Sequence, residues 1–280
     1  MNARAAAREA RLVLFAALLL AWTLLPIYHM VMLSVTPVKD AVGTHLWPPA
    51  PTLDNYRTVF NQGHFFLHDF WQQLANSTLV ALTTCALVLA IASLASYAIG
   101  RLRLSFGHYV SNTALLTYLI PAAFLAIPMY RIMHIYDLLD SRWALILCMV
   151  TFATPYAIWV LKQYADSIPI ELDEAARVDG ASVMQVFRYV YLPLIVPALV
   201  AVGTYALLLS WNEYLYAFLM LSTPQRVTLP VALGYFLSSD DSPWALLMAT
   251  SVIYALPPTA LYYAVRKHMS AGLAAGAVKS

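Results

Sequence analysis

Charge is what this sequence lacks most: only 11% of its 280 residues are Asp, Glu, Lys or Arg, while 61% are hydrophobic. The few charges are also bunched. None falls within Leu12–Val38, Phe70–Gly100, Leu104–Tyr130, Trp143–Leu161, Tyr189–Asn212 or Ser242–Val265. A helix on a water-soluble core needs one apolar face and shows charges on the other every few residues. These stretches show none, and each approaches or exceeds the ~20 apolar residues that cross a hydrocarbon core. The reading is an all-α membrane protein with six transmembrane helices and no water-soluble fold.

Cysteine is almost absent as well. Cys85 and Cys148 each fall mid-stretch, where packing is the expected role and a disulfide or metal is not. The seven histidines are scattered, with His64 and His68 the single close pair, so no metal site is expected. No glycine-rich phosphate loop is present, which excludes an ATP site in this chain. No paired acids or nucleophile–histidine arrangement supports an intramembrane enzyme, so no catalytic residue is assigned. No acidic residue lies mid-stretch, which counts against a proton-coupled secondary transporter and leaves sodium coupling through backbone carbonyls open. The net charge of +2 is no signature of nucleic-acid binding, and none is expected.

Arg4, Arg8 and Arg11 precede the first apolar run, as in a secretory signal, but that run is too long for one and is expected to stay as an uncleaved helix. With six spans both termini share a side, and that side carries eleven Lys and Arg against five on the other. Basic excess marks the cytoplasmic face, so both termini are expected on the cytoplasmic side. Trp71, Trp143, Trp211 and Trp244 then fall near outer helix ends, as an aromatic belt would place them. The expected organisation is a cytoplasmic tail over 1–11, a six-helix domain over 12–268 and a cytoplasmic tail over 269–280. Prolines recur inside the spans (Pro26, Pro121, Pro128, Pro155, Pro197, Pro257 and Pro258) and predict bent or broken helices.

The cytoplasmic segment at 167–190 is the informative part. Ser167-Ile168-Pro169 predicts a helix start, since proline suits the first turn behind a polar cap. Glu171, Asp173 and Glu174 follow, where acids favour the positive end of the helix dipole. Leu172, Ala175, Ala176 and Asp179 fall on one side, and the two alanines permit close approach by another surface. Gly180 ends this helix, and a second apolar-rich piece, Val183–Val190, leads to Leu192-Pro193, where the fifth span is expected to begin. A linker helix lying on lipid is the plainer reading, but such helices are usually basic. Five carboxylates here (Asp166, Glu171, Asp173, Glu174, Asp179) face Lys162, Arg177 and Arg188, which suits a basic protein partner.

Glu174-Ala175-Ala176, three residues, Gly180, nine residues, Val190, one residue, Leu192-Pro193 resembles the EAA loop of ATP-binding-cassette importer permeases, departing only in Val190 for Ile. Asn76, Ala95-Ser96-Tyr97-Ala98, Thr52-Leu53-Asp54-Asn55-Tyr56 and Trp211-Asn212-Glu213-Tyr214 resemble segments of carbohydrate permeases. The tail Gly272–Lys279 resembles that of the smaller maltose-type permease. The resemblance implies the type I importer permease fold, import of an oligosaccharide, sugar alcohol or glycerol-phosphate compound, and an ATPase-coupling role for Glu174, Ala175, Ala176, Asp179 and Gly180. It implies a second related permease, two ATP-binding-cassette ATPases that hold ATP and Mg, and an extracytoplasmic sugar-binding protein. Membrane lipid is the remaining partner. Candidate substrate-path residues are Tyr205, Trp211, Asn212 and Tyr214, and Gly272, Gly276 and Lys279 are expected in an extended tail reaching between the ATPases. Glu213 sits where its helix nears the outer interface; a structural role and a gate both remain open for it.

Overall fold

The computed structural model describes residues 3–43, 45–102, 107–238 and 243–277, with side chains omitted at 3–7, 108, 110–112, 115 and 267–277. The described residues form helices joined by turns, with no strand among them. Four helical stretches are long and apolar enough to cross a membrane: Arg8–Ser34, Phe65–Arg101, Arg142–Asp166 and Trp244–Arg266. A fifth, Val183–Leu194 with Val196–Trp211, is bent by 78°. The chain divides into two units, one of residues 1–70 and 232–257, the other of residues 71–231 and 258–280.

The first unit contains α1 (Ala3–Ser34) and α2 (Asp54–Phe60). Residues Leu12 to Leu25 of α1 turn their apolar side chains outward, including Trp22, which a hydrocarbon surround or another chain would cover. The last carbonyls of α1 need partners that its own backbone cannot supply. Asn55 donates its side-chain amide to the carbonyls of Ser34 at 2.9 Å and Thr36 at 2.8 Å, and the Thr52 amide donates to Val35. The Ser34 and Tyr56 hydroxyls lie 2.7 Å apart. The Thr52–Tyr56 motif therefore closes the end of α1. In the same unit Phe236 packs on Phe66, with ring centres 4.9 Å apart.

The second unit is built on α3 (Phe70–Arg101), α6 (Arg142–Asp166) and α10 (Val196–Trp211). Ala153, Ala157, Leu161 and Ala165 recur every fourth residue of α6 and are buried, as are Ala198, Val202 and Ala206 of α10. Small residues at this spacing let helix backbones approach closely, which is the main route to helix association in lipid. Gly203 continues the principle between α10 and α3: a Cβ there would stand 3.2 Å from Leu89 Cδ1 and 3.4 Å from Cys85 Sγ. Cys85 and Cys148 are free thiols within these helices.

Two expected spans differ from expectation. The stretch Leu104–Tyr130 is not one helix: α4 (Gly107–Leu116) and a short 3-10 turn end at Ile120, and α5 (Ala126–Ile135) begins after another. Pro121 is the cause, since it forces the residue before it out of the helical region, and Ile120 sits at ψ 114°. The fifth stretch is bent by 78° at Ile195, just past Leu192-Pro193, where a short helix starts. Pro193 and Pro197 both lack an amide hydrogen, so the helical ladder loses two bonds around Ile195. A π-helical turn, Phe187–Tyr191, precedes the bend.

The Trp belt also needs correction. Trp71, Trp143 and Trp244 stand at helix starts and are exposed, but Trp211 is only 3% exposed and belongs to the core.

Candidate functional site

The 167–194 segment folds as α7 (Glu171–Val178), α8 (Val183–Val186), the π turn and α9 (Leu192–Leu194). Ser167 does not start α7. Its hydroxyl donates to the Tyr164 carbonyl at 2.7 Å, which closes α6, while Ile170 stands at the N-cap of α7 with no side-chain bond. The acidic first turn is as expected, with Glu171, Asp173 and Glu174 in place.

The end of α7 is closed by two bonds, Gly180 N–H to the Arg177 carbonyl and Ala181 N–H to the Ala176 carbonyl, each 3.0 Å. That pair defines a Schellman turn, which needs its central residue left-handed. Gly180 has φ +86°, and nothing lies within 4 Å of where its Cβ would be. Glycine is required there by backbone angle. α8 then starts with a capping box, Ser182 Oγ accepting from Gln185 N and Gln185 Oε1 accepting from Ser182 N.

The side of α7 expected to be uniform is split. Ala176 is half-buried against the core, whereas Glu174, Ala175 and Asp179 are exposed. Leu172, Val178, Val183 and Met184 are exposed as well, so the outward surface mixes apolar and acidic side chains with Arg177. Asp173, expected in that acidic surface, is instead buried. Its Oδ2 lies 3.7 Å from Nε of Arg101, the last residue of α3. Asp166 is partnered within its own helix by Lys162 at 2.7 Å.

The segment is fixed to the end of α3. Ser96 and Tyr191 hydroxyls are 2.9 Å apart, and the Tyr97 hydroxyl donates to the Val183 carbonyl at 3.3 Å. The Tyr97 ring packs on Tyr191 at 4.9 Å and on Phe187 at 5.2 Å. Arg101 also lies over the Tyr191 ring at 5.9 Å. In the sequence, Ser96 and Tyr97 stand out by resemblance alone, and Arg101 only as a basic residue at the end of an apolar run. An arginine ending an apolar helix and an aspartate at i+2 from the start of the acidic turn were the available signals.

At the opposite end of α3, Asn76 donates to the carbonyls of Gln225 and Val227, both at 2.9 Å, and accepts from Arg142 at 3.2 Å. Ser77 Oγ accepts from Leu229 N at 2.9 Å. Asp140 holds the same loop, accepting from the amides of Ser222 and Thr223, the Thr223 hydroxyl and Arg226.

Of the four substrate-path candidates, Trp211, Asn212 and Tyr214 adjoin at the end of α10, and Tyr205 lies earlier in that helix. Tyr205 of α10 meets Tyr118, with hydroxyls 2.8 Å apart, and Tyr156, with ring centres 4.6 Å apart. Trp211 is buried, and Asn212 and Tyr214 are exposed where α10 gives way to α11 (Leu215–Met220). Glu213 accepts from the Tyr216 amide at 2.7 Å and so caps α11, which is a structural use of that carboxylate. Of the tail residues, Gly272 and Gly276 lie within α12 (Trp244–Ala277), which is helical where an extended segment was expected; Lys279 lies outside the described residues.

Residues 11–274 match the family described as binding-protein-dependent transport system inner membrane component. The chain belongs to this family. As a member of it, the chain is an inner-membrane transport component. It is 35% identical over 266 residues to the inner membrane ABC transporter permease protein YcjP of Escherichia coli, covering 94% of each chain. It is 32% identical to the trehalose transport system permease protein SugB of Mycobacterium tuberculosis, again covering 94% of each. A solved bacterial ABC transporter involved in import of the acidic polysaccharide alginate has a chain of the same fold, with TM-score 0.81 at 22% identity, covering 95% of this chain and 98% of that one.

Proposed function

We propose that this inner-membrane component is one permease half of an ATP-driven carbohydrate importer and that α7 is its contact with the ATPase. The observation that carries this reading is the split of α7: Ala176 packs inward while Glu174, Ala175 and Asp179 face out beside exposed Leu172 and Val178. Such a surface combines apolar side chains with a net acidic charge, which fits a cleft with basic edges and would be repelled by anionic lipid. Gly180 sets the turn that presents it.

In this reading six spans cross the membrane, the third made of α4 and α5 across the Ile120–Pro121 break and the fifth of the bent 183–211 element, with both termini cytoplasmic. The partners are a second, related permease, two ATPases that bind ATP and Mg, and an extracytoplasmic sugar-binding protein. The trehalose in the name of the mycobacterial relative supports an oligosaccharide as the cargo class. Tyr205, Asn212 and Tyr214 offer aromatic faces and hydrogen-bonding groups to such a cargo, and Trp211 supports them from the core. Gly272, Gly276 and Lys279 meet the ATPases.

Purification in mild detergent with the genomic neighbours of this chain tests the reading. An ATPase and a second permease should co-purify, and vesicles holding the assembly should take up trehalose or another oligosaccharide only with ATP inside the system. Uptake by the isolated chain, driven by a proton or sodium gradient, would overturn it.

A further inference from the structure

We propose that Arg101 and Asp173 are positioning residues that pass movement of α7 into α3 and along it to the 221–229 loop. The inference rests on the reading that α7 contacts an ATPase. Their side chains are only 4% and 3% exposed, with Nε and Oδ2 3.7 Å apart. Among the described residues neither Asp173 oxygen finds a hydrogen-bond donor, and Arg101 Nε and Nη2 find no acceptor. Burying two charges without hydrogen bonds costs more than their attraction returns, and an apolar pair would hold the two helices better. The pair is therefore a poor staple.

A charged contact has a different property that suits a moving joint. Its attraction falls only as the inverse of distance. Close apolar packing loses much of its contact energy when a gap of half an ångström to an ångström opens. α7 can thus shift on α3 without the two separating. Ser96 with Tyr191 and Tyr97 with Val183 bind the later part of the segment, while the ion pair of α7 with the end of α3 is made by Arg101.

α3 is suited to carry the movement. It runs unbroken for 32 residues, about 48 Å at ~1.5 Å per residue, with no proline within it. Asn76 and Ser77 at its other end hold Gln225, Val227 and Leu229. A displacement at Arg101 therefore has a continuous path to a loop whose backbone is bonded to the same helix.

The test uses the ATPase-containing assembly in vesicles, with Ser222→Cys placed in the exposed part of the loop. The rate of labelling by a membrane-impermeant maleimide is measured with and without ATP plus vanadate. Nucleotide should change that rate several-fold in the Ser222→Cys chain. Adding Asp173→Asn or Arg101→Gln should reduce the change at least threefold with ATPase still bound, and Arg101→Lys should keep most of it. An undiminished response in Asp173→Asn and Arg101→Gln overturns the proposal, and so does Arg101→Lys behaving like Arg101→Gln. Loss of ATPase from the Asp173→Asn assembly also overturns it, because the pair would then build the docking face. No nucleotide response in Ser222→Cys alone overturns the path to the loop. Failure of the unaltered chain to retain an ATPase counts instead against the proposed function.

Discussion

The Asn76 side-chain amide donates to the Val227 carbonyl at 2.9 Å although 151 positions separate the two residues. Asn76 is fully buried, and it also donates to the Gln225 carbonyl at 2.9 Å. Asn76→Ala should strand the buried Val227 carbonyl, release that of Gln225 and cost about 1–3 kcal/mol. Hydrogen exchange of the 221–229 amides in detergent should accelerate in this variant, with α6 unaffected.

Gly180→Ala places a β-branchless side chain in open space but at φ +86°. The penalty is therefore backbone strain, about 1–2 kcal/mol, and Gly180→Asn should recover part of it because asparagine visits this region more readily. A thermal unfolding series of the three chains checks the order Gly, Asn, Ala. Equal loss in Asn and Ala would point to crowding that the structure does not show.

Ala175 and Ala176 should separate docking from folding. Ala176→Leu adds volume where α7 meets the core and should lower stability by about 1–3 kcal/mol. Ala175→Leu lies on the exposed side, so its melting temperature should stay near that of the unaltered chain while ATPase retention on a column falls.

Asp140 gives the 220–227 loop a pH limit. Burial pushes its pKa up, but the Thr223 hydroxyl and amide, the Ser222 amide and the Arg226 guanidinium outweigh this and lower it from 3.8 to about 2. A depressed carboxylate contributes stability above its ordinary pKa and loses it as pH falls through the folded value. Loop protection should thus be complete above about pH 4 and fade between about 4 and 2, as followed by pulsed hydrogen exchange. In Asp140→Asn the protection should be weaker at neutral pH and flat across that window.

Much of this arrangement is legible in the residues. Charge-free runs mark the long helices, and Glu171, Asp173 and Glu174 mark the start of α7. Gly180 reads correctly as a helix end, because a Schellman turn is local and its glycine requirement is set by φ alone. What the sequence hides is anything set by a distant partner. Asp173 is indistinguishable from Glu174 along the chain, and only Arg101, seventy-two positions earlier, separates a buried charge from an exposed one. Trp211 looks like an interfacial aromatic until α10 packs it inward. The position of the fifth-span bend depends on two prolines acting jointly, Pro193 and Pro197, so neither one alone locates Ile195.

The central claim is that the exposed side of α7 engages an ATPase, and Glu174→Lys tests it most directly. The variant reverses a charge on an exposed residue of α7 and leaves its inward contacts through Ala176 in place. Membrane yield and melting temperature should match the unaltered chain, while ATPase co-purifying with it falls at least tenfold and ATP-dependent sugar uptake is lost. A Glu174→Lys chain that retains its ATPase and transports at the full rate would contradict the account.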